Sequence, residues 1–328
     1  MWAETRNCMD RTSYDLAKIL ICDPVASSRA ATRSGLYSLG FRNIEIVGTL
    51  HDFSDALRHR PPDVALCESQ VGEAQLCDVV QRLRQDSDSS NPFILVMVAT
   101  WTLNSDLANL LASSGADDVL LRPFSTAFIS QRIEAHVSRR KGFIVTSDYV
   151  GPERRKGPTR ASRAFSIDPP NSLKIKSDER LNPNEAARRL DEELIAARAQ
   201  LNVEKLRCDS SRICILGKLL QHEPAGSGRG LEIITRITTL IGEIKRRIQD
   251  TEYRTAEDII PSALDAAKGM QSNVDRVAAI KIFEEAALQL AHAIHPDKSV
   301  AELSNEISAT VAVIQAKQQN DSLGHRVR

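Results

Sequence analysis

Aromatic side chains are scarce. Phe, Trp and Tyr make up only 4% of the 328 residues, too few for the stacking platforms on which single-stranded nucleic acid lies. There is no net charge, 43 Lys and Arg facing 43 Asp and Glu, so no global field recruits a polyanion and nucleic acid is not an expected partner. No apolar run reaches the eighteen or so residues of a membrane span. The segment Met1–Ser13 is polar and mixed in charge, without the apolar stretch of a secretory signal. The six cysteines, at positions 8, 22, 67, 77, 208 and 214, follow neither a disulfide framework nor a zinc-ligand spacing. A reduced, cytoplasmic protein is the expectation. No Ser/His/Asp or metal-ligand constellation stands out in the C-terminal half and the seven His are scattered, so no catalytic residue is assigned and no enzyme is expected. Gly226-Ser-Gly-Arg-Gly230 is glycine-rich, but no strand precedes it and no Lys-Ser/Thr follows, which excludes a phosphate-binding loop.

What is present is alternation. From Leu16 to Arg140, short apolar runs take turns with helix-like stretches. Lys18–Cys22, Ile44–Val47, Val64–Cys67, Phe93–Ala99 and Val119–Leu121 read as strands. Ser27–Leu39, Ser54–His59, Glu73–Arg84, Ser105–Ser114 and Thr126–Arg139 read as helices, two of them stopped by Gly40 and Gly115. Strands that are apolar without alternation need both faces covered, which predicts a parallel sheet with helices on both sides. In such sheets ligands bind at the carboxyl ends of the strands, so the residues just after each strand are the ones to inspect.

Three regions are expected: an α/β domain over 14–141, a basic Pro/Gly-rich linker over 142–182, and a helical domain over 183–328. The linker carries one odd element, Phe143 to Arg155, whose first part either pairs as an edge strand or packs back on the first domain. Beyond Asn182 the apolar positions recur at helical spacing. Leu190, Leu194, Ala197 and Leu201 form one stripe; Leu231, Ile234, Ile237, Ile241, Ile244 and Ile248 a second. Val277, Ile280, Phe283, Ala287, Leu290, Ala291 and Ile294 form a third, and Val300, Leu303, Ile307, Val311 and Ile314 follow a capping Ser299.

The strand-end residues carry a family resemblance. Ile21-Cys22-Asp23, Thr100, Gly115-Ala-Asp-Asp118 and Arg122-Pro123-Phe124 resemble a CheY-like response-regulator receiver domain over residues 16–140, about two fifths of the chain. The resemblance implies a doubly wound five-stranded parallel sheet of order 2-1-3-4-5. It implies a place in two-component or phosphorelay signal transduction. In that family two acids after the first strand hold a divalent metal, and an aspartate after the third accepts the phosphoryl group. A Thr or Ser after the fourth strand and a Lys before the Pro contact the phosphate, and an aromatic in the fifth strand reports the state.

This chain departs at most of those positions. Asp23 keeps the first acid, but Pro24 stands where the second belongs, which weakens any Mg²⁺ site. Glu68 occupies the acceptor position with one methylene more than Asp, and a misplacement of about 1 Å costs on the order of a hundredfold in rate. Thr100 is retained and is followed by Trp101, bulky at the phosphodonor's entrance. Arg122 replaces the Lys and spreads its charge over a planar fork. Val119 stands in place of the switch aromatic.

A Glu68 carboxylate facing Arg122 and Thr100 mimics a phosphorylated acceptor imperfectly, with one negative charge against nearly two. The expectation is a pseudo-receiver that acts by protein–protein interaction with partners of a signalling pathway, with a homo-oligomer formed through the helical region. A locked mimic and a decayed pocket are both open at this stage. The rivals are an active response regulator with a non-standard acceptor site, and a nucleic-acid-binding regulator using the basic linker and Ile244-Lys-Arg-Arg-Ile248.

Weaker signals have plainer readings. Cys22 and Cys67 precede Asp23 and Glu68, and pack as small hydrophobes more readily than they form a redox pair. Between Arg139 and Arg163 lie eight basic residues and two acids, a net +6 run that reads as a solvated linker. His295-Pro-Asp-Lys298 resembles the corner of a J-domain, but the helix before it is not basic. Pro296 and Ser299 make it a helix–turn–helix corner.

Overall fold

The computed structural model describes residues 14–154, 165–178, 180–249, 251–270 and 276–324. Met1–Ser13 with Cys8, and the part of the basic run beyond Arg154, lie outside the described residues. The chain divides into two compact units, one ending at Arg198 and one starting at Ala199.

The first unit is built on five parallel strands: β1 (Lys18–Cys22), β2 (Asn43–Val47), β3 (Val64–Glu68), β4 (Leu95–Thr100) and β5 (Asp118–Leu121). Their order is β2-β1-β3-β4-β5, the order expected. Between them run α1 (Ala26–Ser38), α2 (Leu50–His59), α3 (Glu73–Gln85), α4 (Ser105–Ser114) and α5 (Thr126–Ser138). Successive strand residues point to opposite faces, and each face has its own core. Ile19, Ile21, Leu66 and Met97 pack with Leu36 of α1 and Ile129 and Ile133 of α5. Leu20, Cys22, Cys67 and Val98 pack with Phe53, Leu76, Val80 and Leu111 of the other three helices. Both faces are covered, which is why the strands lack alternation.

Helix boundaries follow their caps. α2 starts four residues before the sequence pattern suggested, because Thr49 accepts a hydrogen bond from the Asp52 N–H. Asn104 and Ser125 cap α4 and α5 in the same way. Gly115 ends α4 in the left-handed conformation, with φ +91°.

The expected linker is, in its described part, ordered structure on the first unit. β6 (Phe143–Val145), β7 (Val150–Pro152) and β8 (Phe165–Ile167) form an antiparallel sheet of order β7-β6-β8, followed by α6 (Ser172–Lys176). Phe143, Val145, Val150 and Ile167 are buried. Gly115 and Gly151 meet backbone to backbone: a Cβ on Gly115 would lie 2.6 Å from the Val150 carbonyl oxygen. Arg84, fully buried in α3, donates to the carbonyl oxygens of Gly115 and Ile94 and pairs with Asp117 at 2.7 Å. Arg140 donates to the carbonyls of Phe93 and Pro170, and Arg154 to that of Ala116. Arg140 and Arg154 are thus turned inward onto backbone carbonyls, whereas Arg139 and Lys141 are exposed. The first part of Phe143–Arg155 is a strand, β6, but it lies at the centre of the sheet and not at an edge; sequence patterning misses its partners because a three-residue strand carries no readable period.

The second unit is helical. α7 (Pro183–Leu220), the longest helix among the described residues, begins in the first unit and continues into the second, where α8 (Gly228–Ile248), α9 (Ile260–Gly269), α10 (Arg276–Ile294) and α11 (Val300–Gly324) follow. The stripes from Ile234, Ile280 and Ile307 onward form one core, and Leu303 is buried as well. Leu231, Val277 and Val300, expected to head their stripes, are exposed instead, because each lies in the first turn of its helix, beyond the packed part. At the His295–Lys298 corner, Ser299 accepts from the Glu302 N–H at 3.3 Å, and Glu302 accepts from the Ser299 N–H at 2.8 Å. This reciprocal cap leads to an expected loss of about 1 kcal/mol for Ser299→Ala, read as a lower midpoint of the helical unit's denaturant unfolding. An unchanged midpoint would remove the cap from the account.

Candidate functional site

The carboxyl ends of β1, β3 and β4, with the loop after β5, bring together five of the six residues singled out in the sequence. Asp23 follows β1, Glu68 ends β3, Thr100 ends β4, Trp101 follows it, and Arg122 follows β5. The register fixes this: Cys22 lies opposite Cys67, and Glu68 opposite Ala99. Asp23 and Glu68 are 1% and 2% exposed, so both acids lie at the floor of the pocket.

Arg122 closes it. Its Nε donates to Glu68 Oε2 at 2.6 Å, and its Nη2 donates to Asp23 Oδ2 at 3.0 Å. One guanidinium therefore bridges both acids in the planar geometry that suits Arg and not Lys. Its carbon sits 4.7 Å from the ring centroid of Phe124 and 6.0 Å from that of Trp101, so aromatic faces add to its binding. The Arg122–Pro123 bond is cis. Asp23 is fixed from its other side, Oδ1 accepting from the Val25 N–H at 2.8 Å.

Charge is balanced unevenly. Burial pushes the Glu68 carboxyl above its ordinary value, and the hydrogen bond and charge of Arg122 pull it back only in part. The folded protein then holds the Glu68 proton more tightly than the unfolded chain. Ionising Glu68 subtracts stability as pH rises above its ordinary range.

Thr100 does not join the ion pair. Its hydroxyl donates to the Thr102 carbonyl at 2.7 Å and accepts from Ser69 at 3.0 Å. Ser69, missed in the sequence, comes to the pocket because a short helical turn begins there, directly after β3. Trp101 is 47% exposed, stands over the pocket beside Arg122 and does not fill it. Val119 is half-buried against the core of the α2, α3 and α4 face and does not reach the acids. Cys22 and Cys67 are both buried, and burial pushes the Cys67 thiol well above its ordinary value. A neutral, buried thiol is a packing group, not a nucleophile.

A third carboxylate, outside the pocket, lies at the start of β5. Asp118 accepts from Arg132 at 2.7 and 2.6 Å and lies 3.2 Å from His136 Nε2. Burial raises this carboxyl, but the hydrogen bonds of His136 and Arg132 outweigh it and hold Asp118 at about 2. A depressed carboxylate stabilises above its unfolded value and loses that contribution as pH falls through the folded one. Asp118→Asn is expected to cost about 2 kcal/mol at pH 7, with the deficit shrinking below pH 3.8. Urea midpoints of the two proteins at several pH values check this; a deficit independent of pH would contradict it.

No protein-family model matches the chain. Among curated proteins, it is 30% identical over 164 residues to the transcriptional regulatory protein PrrA of Mycobacterium tuberculosis, covering 48% of this chain and 66% of the relative. It is 30% identical over 137 residues to the probable transcriptional regulator ycf27 of Guillardia theta, covering 40% of this chain and 50% of that one. The chain thus spans between half and two thirds of the length of these relatives. Among solved structures, a response regulator from Thermotoga maritima is similar at 20% identity and TM-score 0.33, covering 38% of this chain and 98% of that one. The signal receiver domain of a putative LuxO repressor protein from Vibrio parahaemolyticus is similar at 19% identity and TM-score 0.33, covering 38% and 92%. The strand order gives residues 16–140 the CheY-like fold, and the proteins this chain resembles are response regulators and their receiver domains.

Proposed function

We propose that this chain is an atypical response regulator whose receiver pocket is closed by its own ion pair and which signals by protein–protein contact, without aspartyl phosphorylation. The observation that carries it is the Arg122 guanidinium donating to both Glu68 and Asp23. The donor set does not fit the Mg²⁺ that the family uses. The pocket offers two carboxylates and each already accepts from a cation. Pro24 brings no side-chain oxygen, and among the described residues no group of three or more His, Cys, Asp or Glu is placed to hold a metal. A second cation here would face Arg122 with no new ligand to offset the repulsion.

The role follows from these groups. Glu68 takes the acceptor position and Arg122 the place of the phosphate-contacting Lys, and their contact holds the strand ends in one arrangement. Such a domain acts as a fixed docking module for a signalling partner. Among the described residues no helix is long and apolar enough to cross a membrane, and the reading places the protein in the cytoplasm, as a regulator and not an enzyme. The similarity to PrrA, a transcriptional regulatory protein, and to ycf27, a probable transcriptional regulator, favours one other reading, a transcriptional regulator with nucleic acid as its partner. A salt-dependent mobility shift of duplex DNA would support that reading.

The test uses Trp101. In a Trp2→Phe variant of the full chain it is the only tryptophan. Its fluorescence is expected to stay flat when Mg²⁺ and then beryllofluoride are added. A saturable change abolished by Asp23→Asn would establish a live metal site and overturn the reading.

A further inference from the structure

We propose that the helical unit carries a binding site for a small apolar amine, of the size of a single aromatic ring with one aminomethyl group, in the cavity between α7, α10 and α11. This inference is independent of the receiver pocket.

The cavity measures about 180 Å³. An apolar cavity of roughly 150 Å³ holds a benzene molecule, so one ring fits. Small residues line it and lie beside it. At Gly217, α7 lets α10 come so near that a Cβ there would lie 2.9 Å from Phe283. One turn earlier on α7 the side chain is Cys214, and on α11 it is Ser304; neither fills the space that Leu288 and Ile307 leave. Burial pushes the Cys214 thiol up to about 12, so it presents a neutral, apolar wall.

The mouth selects charge. Two carboxylates, Glu284 and Glu285, and one ammonium, Lys218, line it, leaving one negative charge in excess. Lys218 is engaged, its Nζ donating to Ser308 Oγ at 2.7 Å. Glu284 accepts only from the neutral Gln221 amide, at 2.7 Å. Burial raises the Glu284 carboxyl above its ordinary value, and the Lys218 charge and the Gln221 hydrogen bond offset this only in part; a cationic ligand head placed there adds to that compensation. An apolar body with an ammonium group satisfies both wall and mouth, whereas a carboxylate ligand meets repulsion.

The full chain is titrated with benzylamine, toluene and benzoate, and binding is read by saturation-transfer NMR and by thermal unfolding. Benzylamine is expected to saturate, toluene to bind about tenfold more weakly, and benzoate not to bind. Glu284→Gln should weaken benzylamine about tenfold, one charge-assisted hydrogen bond's worth, and leave toluene unchanged. Ser304→Phe places a ring in the cavity and should abolish binding of both, with helicity by circular dichroism intact. Toluene or benzoate binding as tightly as benzylamine would overturn the amine assignment. Absence of saturation, or unaltered binding by Ser304→Phe, would overturn the site.

Discussion

Replacing Arg122 by methionine is expected to destabilise the first unit by about 3–5 kcal/mol, the usual cost of removing one partner from a buried ion pair. The size follows from what is left behind. Asp23 and Glu68 are both nearly inaccessible to water and share this one guanidinium. Without it, two carboxylates face each other in a low-dielectric pocket, and folding must protonate one of them. Because Glu68 already sits above its ordinary value, the variant moves it further up. The deficit should then grow as pH rises and shrink toward pH 4.5. Urea unfolding of the full chain, followed through Trp101 in the Trp2→Phe background, measures it. A loss below about 1 kcal/mol, or one that does not vary with pH, would mean that the pair is a surface contact and not the pocket's keystone. Arg122→Lys should recover only part of the loss, since a point charge cannot reach both acids in one plane.

Arg84→Met should have a comparable effect by a different route. Arg84 is completely buried and serves the carbonyls of Gly115, Pro92 and Ile94 and the Asp117 carboxylate. Its guanidinium also lies 5.1 Å from the Phe143 ring, which ties α3 to the small antiparallel sheet. Methionine fills much of the volume but satisfies none of these acceptors, each of which then bears its own desolvation cost. A loss of about 3–5 kcal/mol is expected. Release of the sheet should also free the stretch between α5 and β6, where Arg140 is held by the carbonyls of Phe93 and Pro170. Limited trypsin digestion then reads out the effect: rapid cleavage there in the variant and slow cleavage in the wild type. Equal cleavage rates would mean that the sheet is held by other contacts, Gly115 against Gly151 among them.

The fold of residues 16–140 is legible in the sequence because most of the strands are short apolar runs and three of the five helices stop at Gly40, Pro61 or Gly115. The pocket is legible because strand ends in a parallel sheet converge, which puts Asp23, Glu68, Thr100 and Arg122 together before any coordinate is known. What the pattern does not show is how the side chains share partners. Thr100 turns to Ser69 and Thr102 instead of Glu68, since a hydroxyl takes the nearest backbone acceptor. Arg122 reaches Asp23 as well as Glu68, because its fork spans both. The sheet after Lys141 is hidden for another reason: its strands have three residues each, and its anchor is an arginine that reads as solvent-facing on a helix. Leu231, Val277 and Val300 extend their stripes by spacing alone, whereas packing begins one turn further in.

The central claim is that Arg122, Glu68 and Asp23 form a closed pocket in place of a phosphate acceptor. The most direct test is the intact mass of the full chain after incubation with acetyl phosphate and Mg²⁺, beside a Glu68→Asp, Arg122→Lys double variant treated identically. The account predicts no phosphoryl mass on the wild type, whatever the outcome for the double variant. A wild-type mass increment of one phosphoryl group, lost on Glu68→Gln, would contradict it.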